Sequence, residues 1–237
     1  MSYNIVFRRD TGVGNSAADI FIINPDTFKL TRVTNNNLPD WYPTWSHDRK
    51  KIAWASYLGG GWNIYTIEYN GVKLSKLTKV TSNDFKCMKP RWALDDSQIV
   101  FEGSPLAEKP SYPKQTRPRP FIINKDGTNQ QVTTDSFISS ITNVVMAPTD
   151  KIIYTKTRNE GPIEDIDRIS YSEIYYSNAD GTLEIQLTSG SQDINPQLSP
   201  DNKFVLFERG GSLFIMDLTT KKIKQITSGS LDSETCW

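Results

Sequence analysis

The chain has 237 residues, with 27 basic and 27 acidic side chains, and this balance leaves no global basic field to hold a nucleic-acid backbone. Nucleic acid is therefore not an expected partner. Neither a run of apolar residues of signal-peptide length at the N-terminus nor a stretch of 18 uncharged apolar residues elsewhere is present, so no membrane span is predicted. As it stands the sequence predicts a cytoplasmic protein, although the mature form of an exported protein would look the same.

Histidine and cysteine are scarce, and this limits the chemistry. Cys87 and Cys236 are too few for a disulfide framework and too far apart for a zinc knuckle. His47 is the only histidine, so a Ser-His-Asp unit, a Cys-His unit and a histidine-ligated metal all lack members. Gly59, Gly60 and Gly61 stand between predicted strands, not before a helix, and so do not form a phosphate-binding loop. We expect a protein that is not an enzyme.

In chain order, the predicted elements form a repeating unit of four short strands. The first strand of the unit is predicted at 43–45, 90–92, 144–146, 196–198 and 235–237. An apolar triplet predicts the second strand, at 5–7, 52–54, 99–101, 152–154 and 204–206. Another apolar run predicts the third, at 19–22, 63–66, 120–123, 173–176 and 212–215. A threonine-containing segment predicts the fourth, at 30–34, 77–78, 131–133, 186–188 and 225–227.

Turn residues separate these runs. Polar turns precede four of the triplets, at 46–50, 93–97, 147–151 and 199–203. Asp-Gly pairs at 126–127 and 180–181 supply the positive φ angles that tight hairpins need. The runs are short, rich in β-branched and aromatic residues, and show no helical period, so every element is predicted to be a strand.

The ends of the chain complement each other. The sequence opens at the second strand of one unit and ends inside the first strand of the next, so its two incomplete ends make one whole unit. Closing a ring in this way removes open sheet edges. We therefore predict an all-β protein: one domain over 1–237, a five-bladed β-propeller of four-stranded antiparallel blades, with the C-terminal strand joining the N-terminal blade.

Some of the repeated segments resemble a known family. The turn Ser199-Pro200-Asp201-Asn202-Lys203, the Pro-x-Trp segments at 43–45 and 90–92, and the Leu-Thr pairs resemble the TolB-like β-propeller repeat. The resemblance extends over nearly the whole chain and implies a propeller, a fold that hosts many functions. Lyases that share this propeller resemble multi-histidine metal enzymes, and a chain with one histidine cannot build such a centre.

One face of the predicted propeller carries all the long insertions, at 9–18, 56–62, 103–119 and 156–172, and we call it the insertion face. Long loops within a compact domain are more often functional than not. The third insertion is basic and the fourth acidic. These charges either screen each other or form a bipolar patch for a charged protein segment, with Tyr112 as an aromatic anchor.

Three aspartates, Asp40, Asp193 and Asp232, recur in the loops that enter the innermost strands. Converging carboxylates would bind a cation such as Ca²⁺, or a lysine or arginine of a partner. The alternative is that each aspartate forms an Asx-turn with its own backbone. Trp41, Tyr42 and Trp62 are predicted on the same face, either as exposed aromatics or as packing between blades.

These features favour a non-catalytic binding or scaffold propeller that engages a protein or peptide through the insertion face, as a monomer or within a larger assembly. No cofactor is expected apart from the possible Ca²⁺. One alternative is a small-ligand or carbohydrate binder that uses Trp41, Tyr42 and Trp62 as stacking surfaces. A weaker one is a glycoside-active enzyme that uses Asp193 and Asp232 as a carboxylate pair.

Overall fold

The computed structural model describes residues 3–12, 17–93, 95–105, 119–132, 145–147, 151–160, 169–178, 183–189, 192–228 and 231–237. These residues contain strands and no helix, and so nothing helical that could cross a bilayer. The strands are β1 (Ile5–Asp10), β2 (Ala18–Ile23), β3 (Leu30–Arg32), β4 (Asp40–Trp45), β5 (Lys51–Ser56), β6 (Asn63–Tyr69), β7 (Leu74–Lys79), β8 (Phe85–Trp92), β9 (Gln98–Pro105), β10 (Arg119–Asn124), β11 (Gln131–Val132), β12 (Val145–Ala147), β13 (Lys151–Glu160), β14 (Ile169–Asn178), β15 (Ile185–Gln186), β16 (Asp193–Leu198), β17 (Phe204–Arg209), β18 (Ser212–Asp217), β19 (Ile223–Gln225) and β20 (Asp232–Cys236).

Within the described ranges the strands form five antiparallel four-stranded sheets. In order of strands, the first sheet is β20-β1-β2-β3, the second β4-β5-β6-β7, the third β8-β9-β10-β11, the fourth β12-β13-β14-β15 and the fifth β16-β17-β18-β19. The predicted repeat of antiparallel four-stranded units is confirmed. The first sheet combines both ends of the chain, since Val6 pairs with Cys236 and Arg9 with Asp232.

The sheets pack face to face through shared apolar clusters. One cluster joins the first and second sheets, including Val6, Ile20, Trp45 and Trp54. Others join the second sheet to the third, the fourth to the fifth, and the fifth to the first. The segment between the third and fourth sheets, residues 133–144, lies outside the described residues. A single domain over the whole chain stays a prediction.

The strand register corrects one detail of the repeat. Phe7 pairs with Phe21 in the first sheet, and Phe207 pairs with Phe214 in the same way in the fifth. The equivalent triplet of the fifth sheet is therefore 205–207, and the predicted triplet 204–206 began one residue early. The period placed the strand correctly, but a run of four apolar residues, 204–207, left its register open.

The recurring threonine has a structural explanation. In four sheets a threonine Oγ1 accepts a hydrogen bond of 2.9–3.0 Å from the backbone N–H of the third strand, in the pairs Ile20–Thr34, Ile64–Thr81, Ile174–Thr188 and Leu213–Thr227. All four threonines are buried. A buried N–H without a partner is costly, and the threonine hydroxyl supplies the acceptor. The bond also fixes the segment after the fourth strand against the third strand of the same sheet.

The innermost strands share a bulge. Tyr42, Lys89, Asn195 and Glu234 have φ angles of 56°, 51°, 53° and 53°, and the pairing with the second strand shifts register beside each of them. Left-handed backbone costs a non-glycine residue roughly 1 kcal/mol. Such bulges change the direction of side chains and are common beside binding sites.

Candidate functional site

The loops of the insertion face lie together at one end of the sheets. The N–H of Tyr57 donates to the carbonyl of Pro39 at 3.2 Å within the second sheet. Between sheets, the N–H of Cys87 donates to Trp62 at 3.0 Å, and that of Asp232 donates to Gly211 at 3.0 Å. Tyr112 and residues 106–118 and 161–168 of the third and fourth insertions lie outside the described residues.

Two of the three predicted aspartates are held by arginines of the adjacent strand. Asp232 accepts two hydrogen bonds from Arg9, at 2.7 and 2.9 Å, and Asp193 accepts two from Arg209, at 2.6 and 2.8 Å. Both carboxylates are buried, and each arginine also lies over a pair of phenylalanine rings of its sheet. These bidentate pairs connect the innermost strand to the second strand.

The third aspartate has a different set of partners, because Ser56 stands where the first and fifth sheets have arginine. Asp40 accepts from Trp54 Nε1 at 3.1 Å and from Asn36 Nδ2 at 2.9 Å. It is fully buried, and this burial raises its pKa above the ordinary value, although hydrogen bonds from Ser56, Trp54 and neighbouring side chains act in the opposite direction.

Asp40, Asp193 and Asp232 are therefore each engaged within their own sheet. Among the described residues no group of three His, Cys, Asp or Glu side chains could hold a metal ion. Arg9 and Arg209 stand in register opposite Asp232 and Asp193, and sequence reasoning missed both arginines because the pairing depends on the register between strands.

The predicted aromatics do come together. The ring centroids of Trp41 and Trp62 are 4.6 Å apart, and those of Trp41 and Tyr42 are 6.3 Å apart. Tyr57, which sequence reasoning missed, lies 5.7 Å from Trp62 and is 40% exposed. Tyr42 and Trp62 are partly buried against the core shared by the second and third sheets. The cluster thus has both an exposed edge and a packing role.

A groove of about 330 Å³ opens between the first and fifth sheets. It is lined by Arg8, Asp10, Ile194, Glu208, Arg209, Gly210, Gly211, Leu231, Asp232 and Ser233. Leu231 and Ile194 are 67% and 39% exposed, whereas Glu208 is only 4% exposed. The groove therefore combines an exposed apolar rim with a buried carboxyl group.

The electrostatics of the groove centre on Glu208. Burial raises its pKa to about 7, and the nearby charge of Glu234 adds to the rise, although hydrogen bonds from Asn195 and the Glu234 N–H lower it. Burial also raises the pKa of Glu234, against the lowering effects of the Tyr42 N–H, at 2.6 Å from Oε2, and of the Arg8 charge. Glu208 thus accepts from the backbone of Glu234, and the Glu234 carboxylate in turn accepts from the backbone of Tyr42.

Comparison with known proteins rests on structure, since no protein-family model and no curated protein matches the sequence. TolB from Acinetobacter baumannii superposes with a TM-score of 0.65 and 14% identity, over 99% of this chain and 66% of that one. The fold is that of the TolB-like propellers.

Two other solved structures also superpose on this chain. Hydrazine synthase from Kuenenia stuttgartiensis matches with a TM-score of 0.65 and 14% identity, over 99% of this chain and 46% of that one. A nidogen/laminin complex matches with a TM-score of 0.50 and 13% identity, over 93% of this chain and 92% of that one. The chain thus spans about two thirds of TolB and less than half of the hydrazine synthase chain. Identities this low establish the fold alone.

Proposed function

We propose that this chain is a non-catalytic, five-bladed propeller that binds a protein or peptide segment through its insertion face, in the groove between the first and fifth sheets. The observation that carries the proposal is the groove itself, where Leu231 and Ile194 are exposed beside a buried polar floor. Exposed apolar residues around a concave site are typical of surfaces that bind partners.

The closed ring is part of this proposal. Shared cores join the third sheet to the second, the second to the first, the first to the fifth and the fifth to the fourth. A fifth junction, between the third and fourth sheets, would complete the circle. The pairing of β20 with β1 supports closure, because it brings both chain ends into one sheet.

The proposed absence of catalysis is supported by how the candidate groups are used. His47 belongs to the turn 46–50, at the opposite end of the second sheet from the insertion face, where its Nδ1 lies 3.0 Å from Asp96. Asp193 and Asp232 both accept two hydrogen bonds from arginine, so neither is free to act as one of a pair of glycosidase carboxyls.

The comparisons are consistent with a binding role without deciding it. One matched structure is a complex of two proteins, nidogen and laminin, so the fold occurs in an assembly between proteins. Another is hydrazine synthase, which by name is an enzyme. Function must therefore be tested at the groove.

Selection of peptides from a displayed random library against the purified chain tests the proposal. We expect enriched peptides whose binding is lost in the variant Ile194→Asp/Leu231→Asp but kept in Val72→Asp. Val72 is a matched control because it is an exposed apolar residue at the opposite end of the second sheet, in the turn between β6 and β7. Failure to enrich any peptide, or equal binding by both variants, would contradict the proposal.

A carbohydrate is the second candidate ligand, and the cluster of Trp41, Trp62, Tyr57 and Tyr42 favours it. Aromatic faces stack on the apolar faces of sugar rings, and Tyr57 gives the cluster an exposed edge. Titration with neutral and acidic oligosaccharides should quench tryptophan fluorescence in the wild type and not in Trp62→Ala. Absence of quenching across the panel would remove this candidate.

A further inference from the structure

A comparison of equivalent positions shows a charge in the groove that lacks a counterion. Arg8, Glu102 and Glu208 each follow an aromatic residue of the second strand, at Phe7, Phe101 and Phe207, and occupy the same register position in their sheets. Each lies beside the bulge of its innermost strand. The first, third and fifth sheets therefore have a charged side chain at the same position of their second strand.

In two sheets the bulge residue neutralises that charge. Arg8 lies 3.8 Å from Glu234, and Glu102 lies 3.1 Å from Lys89. The bulge residue of the fifth sheet is Asn195, which is neutral. Among the residues described, Glu208 has no cationic partner, and its hydrogen bonds come from neutral groups, namely Asn195 and the backbone of residues 234 and 235.

The other charges of the groove do not fill this gap. Arg209 is bound by Asp193, Asp232 is bound by Arg9, and Arg8 faces Glu234. Asp10 also lines the groove, and in the part of the chain that the structure describes it accepts from the N–H of Gly12 at 3.0 Å and forms no ion pair. The uncompensated charge of the groove is therefore negative, from Glu208 and Asp10.

The walls of the groove suit a long side chain. Ile194 and Leu231 are the exposed apolar residues of the lining, and Gly210 and Gly211 add no side chains that would narrow it. Lysine and arginine bury an aliphatic stem against apolar surface while their charged end meets a carboxylate. A buried carboxylate without a counterion is costly, so an incoming cation would bind strongly there.

We propose, building on the proposed function, that the groove holds a lysine or arginine side chain of the bound protein segment. Its cation pairs with Glu208, with Asp10 as the second acidic group, and its stem packs on Ile194 and Leu231. This site replaces the expected cation site at Asp40, Asp193 and Asp232, whose carboxylates are already engaged.

Binding at this site should depend on pH. The titratable and charged groups around Glu208 are Glu234 and Asp232 on β20, Arg8 and Asp10 on β1, and Arg209 on β17. With a pKa of about 7 in the free protein, Glu208 is mainly ionised at pH 8 and mainly neutral at pH 6. Affinity for a cationic side chain should therefore fall by up to about ten-fold between these two values.

The experiment compares two defined tripeptides, acetyl-Leu-Arg-Leu-amide and its neutral citrulline counterpart, by NMR titration at pH 8. The arginine peptide should shift the amide signals of Gly210, Gly211 and Leu231 and bind about ten-fold more tightly than the citrulline peptide. Glu208→Gln should abolish that difference. Glu102→Gln, at the equivalent but neutralised position, should preserve it.

The outcomes separate this inference from the proposed function. If library-selected peptides bind the groove but lose no affinity when lysine or arginine is replaced by norleucine or citrulline, the inference fails and the proposed function stands. If no peptide binds the groove, both fail. Asp10→Asn and the pH titration of the wild type provide independent readouts should Glu208→Gln not fold, and an unchanged preference in both would overturn the inference.

Discussion

The first and fifth sheets differ from the second in how they hold the same buried aspartate. In the first and fifth, an arginine stands opposite the aspartate and binds both carboxylate oxygens. In the second, Ser56 stands there, and Asp40 depends on Trp54 and Asn36 instead. These three sheets thus share the aspartate, whereas the third has Cys87 at the equivalent position, and the residue opposite decides whether the aspartate forms an ion pair or a set of neutral hydrogen bonds.

Removal of one arginine should have the largest effect on stability. Arg209→Leu leaves Asp193 buried without its counterion, and we expect a loss of about 3 kcal/mol in the free energy of unfolding. Chemical denaturation at pH 7 measures it. Arg91→Leu, at an exposed arginine, is the control and should change stability by less than about 0.5 kcal/mol. Equal effects of the two variants would show that the pair contributes nothing specific.

Glu208 and Glu102 extend the comparison to the repeated charged position. The pKa of Glu208 is raised from 4.5 to about 7 in the folded protein. The stabilising contribution of its protonated form is therefore fully present below pH 4.5 and is lost as pH rises through 7. Glu208→Gln should therefore stabilise the protein by about 2 kcal/mol at pH 8 and by almost nothing at pH 4.

Thermal or chemical denaturation at both pH values tests this expectation. Glu102→Gln removes a carboxylate that already has a cation, Lys89 at 3.1 Å, so it should give no such gain at pH 8. A gain at pH 8 that is the same for both variants would mean that the missing counterion of Glu208 has no energetic consequence.

The smallest expected effect separates Asp40 from Asp193. Burial raises the pKa of Asp40, so its charge costs stability as pH rises through that pKa, and Asp40→Asn should stay within about 1 kcal/mol of wild type at pH 7. Asp193→Asn loses an ion pair and should cost about 2 kcal/mol. Urea denaturation of both variants measures the difference, and a larger loss for Asp40→Asn would reverse the interpretation.

Periodicity predicted the sheets well because strand order depends on local patterns that recur along the chain. The one-residue error at Phe207 arose where four apolar residues in a row, Phe204 to Phe207, gave no alternation to fix the register. Thr34, Thr188 and Thr227 were visible as a repeated residue, but their role needed the hydrogen bond from the third strand to be seen. In the second sheet the predicted segment contained Thr78, whereas Thr81 makes that bond, so this position was wrong.

The candidate site was harder to predict than the fold. Asp193 and Asp232 were identified, but their arginines were not paired with them, since that requires the register between strands. The groove was missed because it joins residues 8 and 10 to residues near 194, 208–211 and 231–233, which meet only in three dimensions. Glu208 did leave a sequence signal, as a carboxylate next to a run of apolar residues in a strand.

The pairing of β20 with β1 has a consequence for the order of events during synthesis. The inner edge of β1 has to wait for residues 232–236, which leave the ribosome more than 200 residues later. Until then the first sheet lacks its innermost strand, and the wall of the groove that contains Leu231, Asp232 and Ser233 does not exist. Such long-range pairing is slow to form, so the proposed binding groove would be among the last parts of the chain to form.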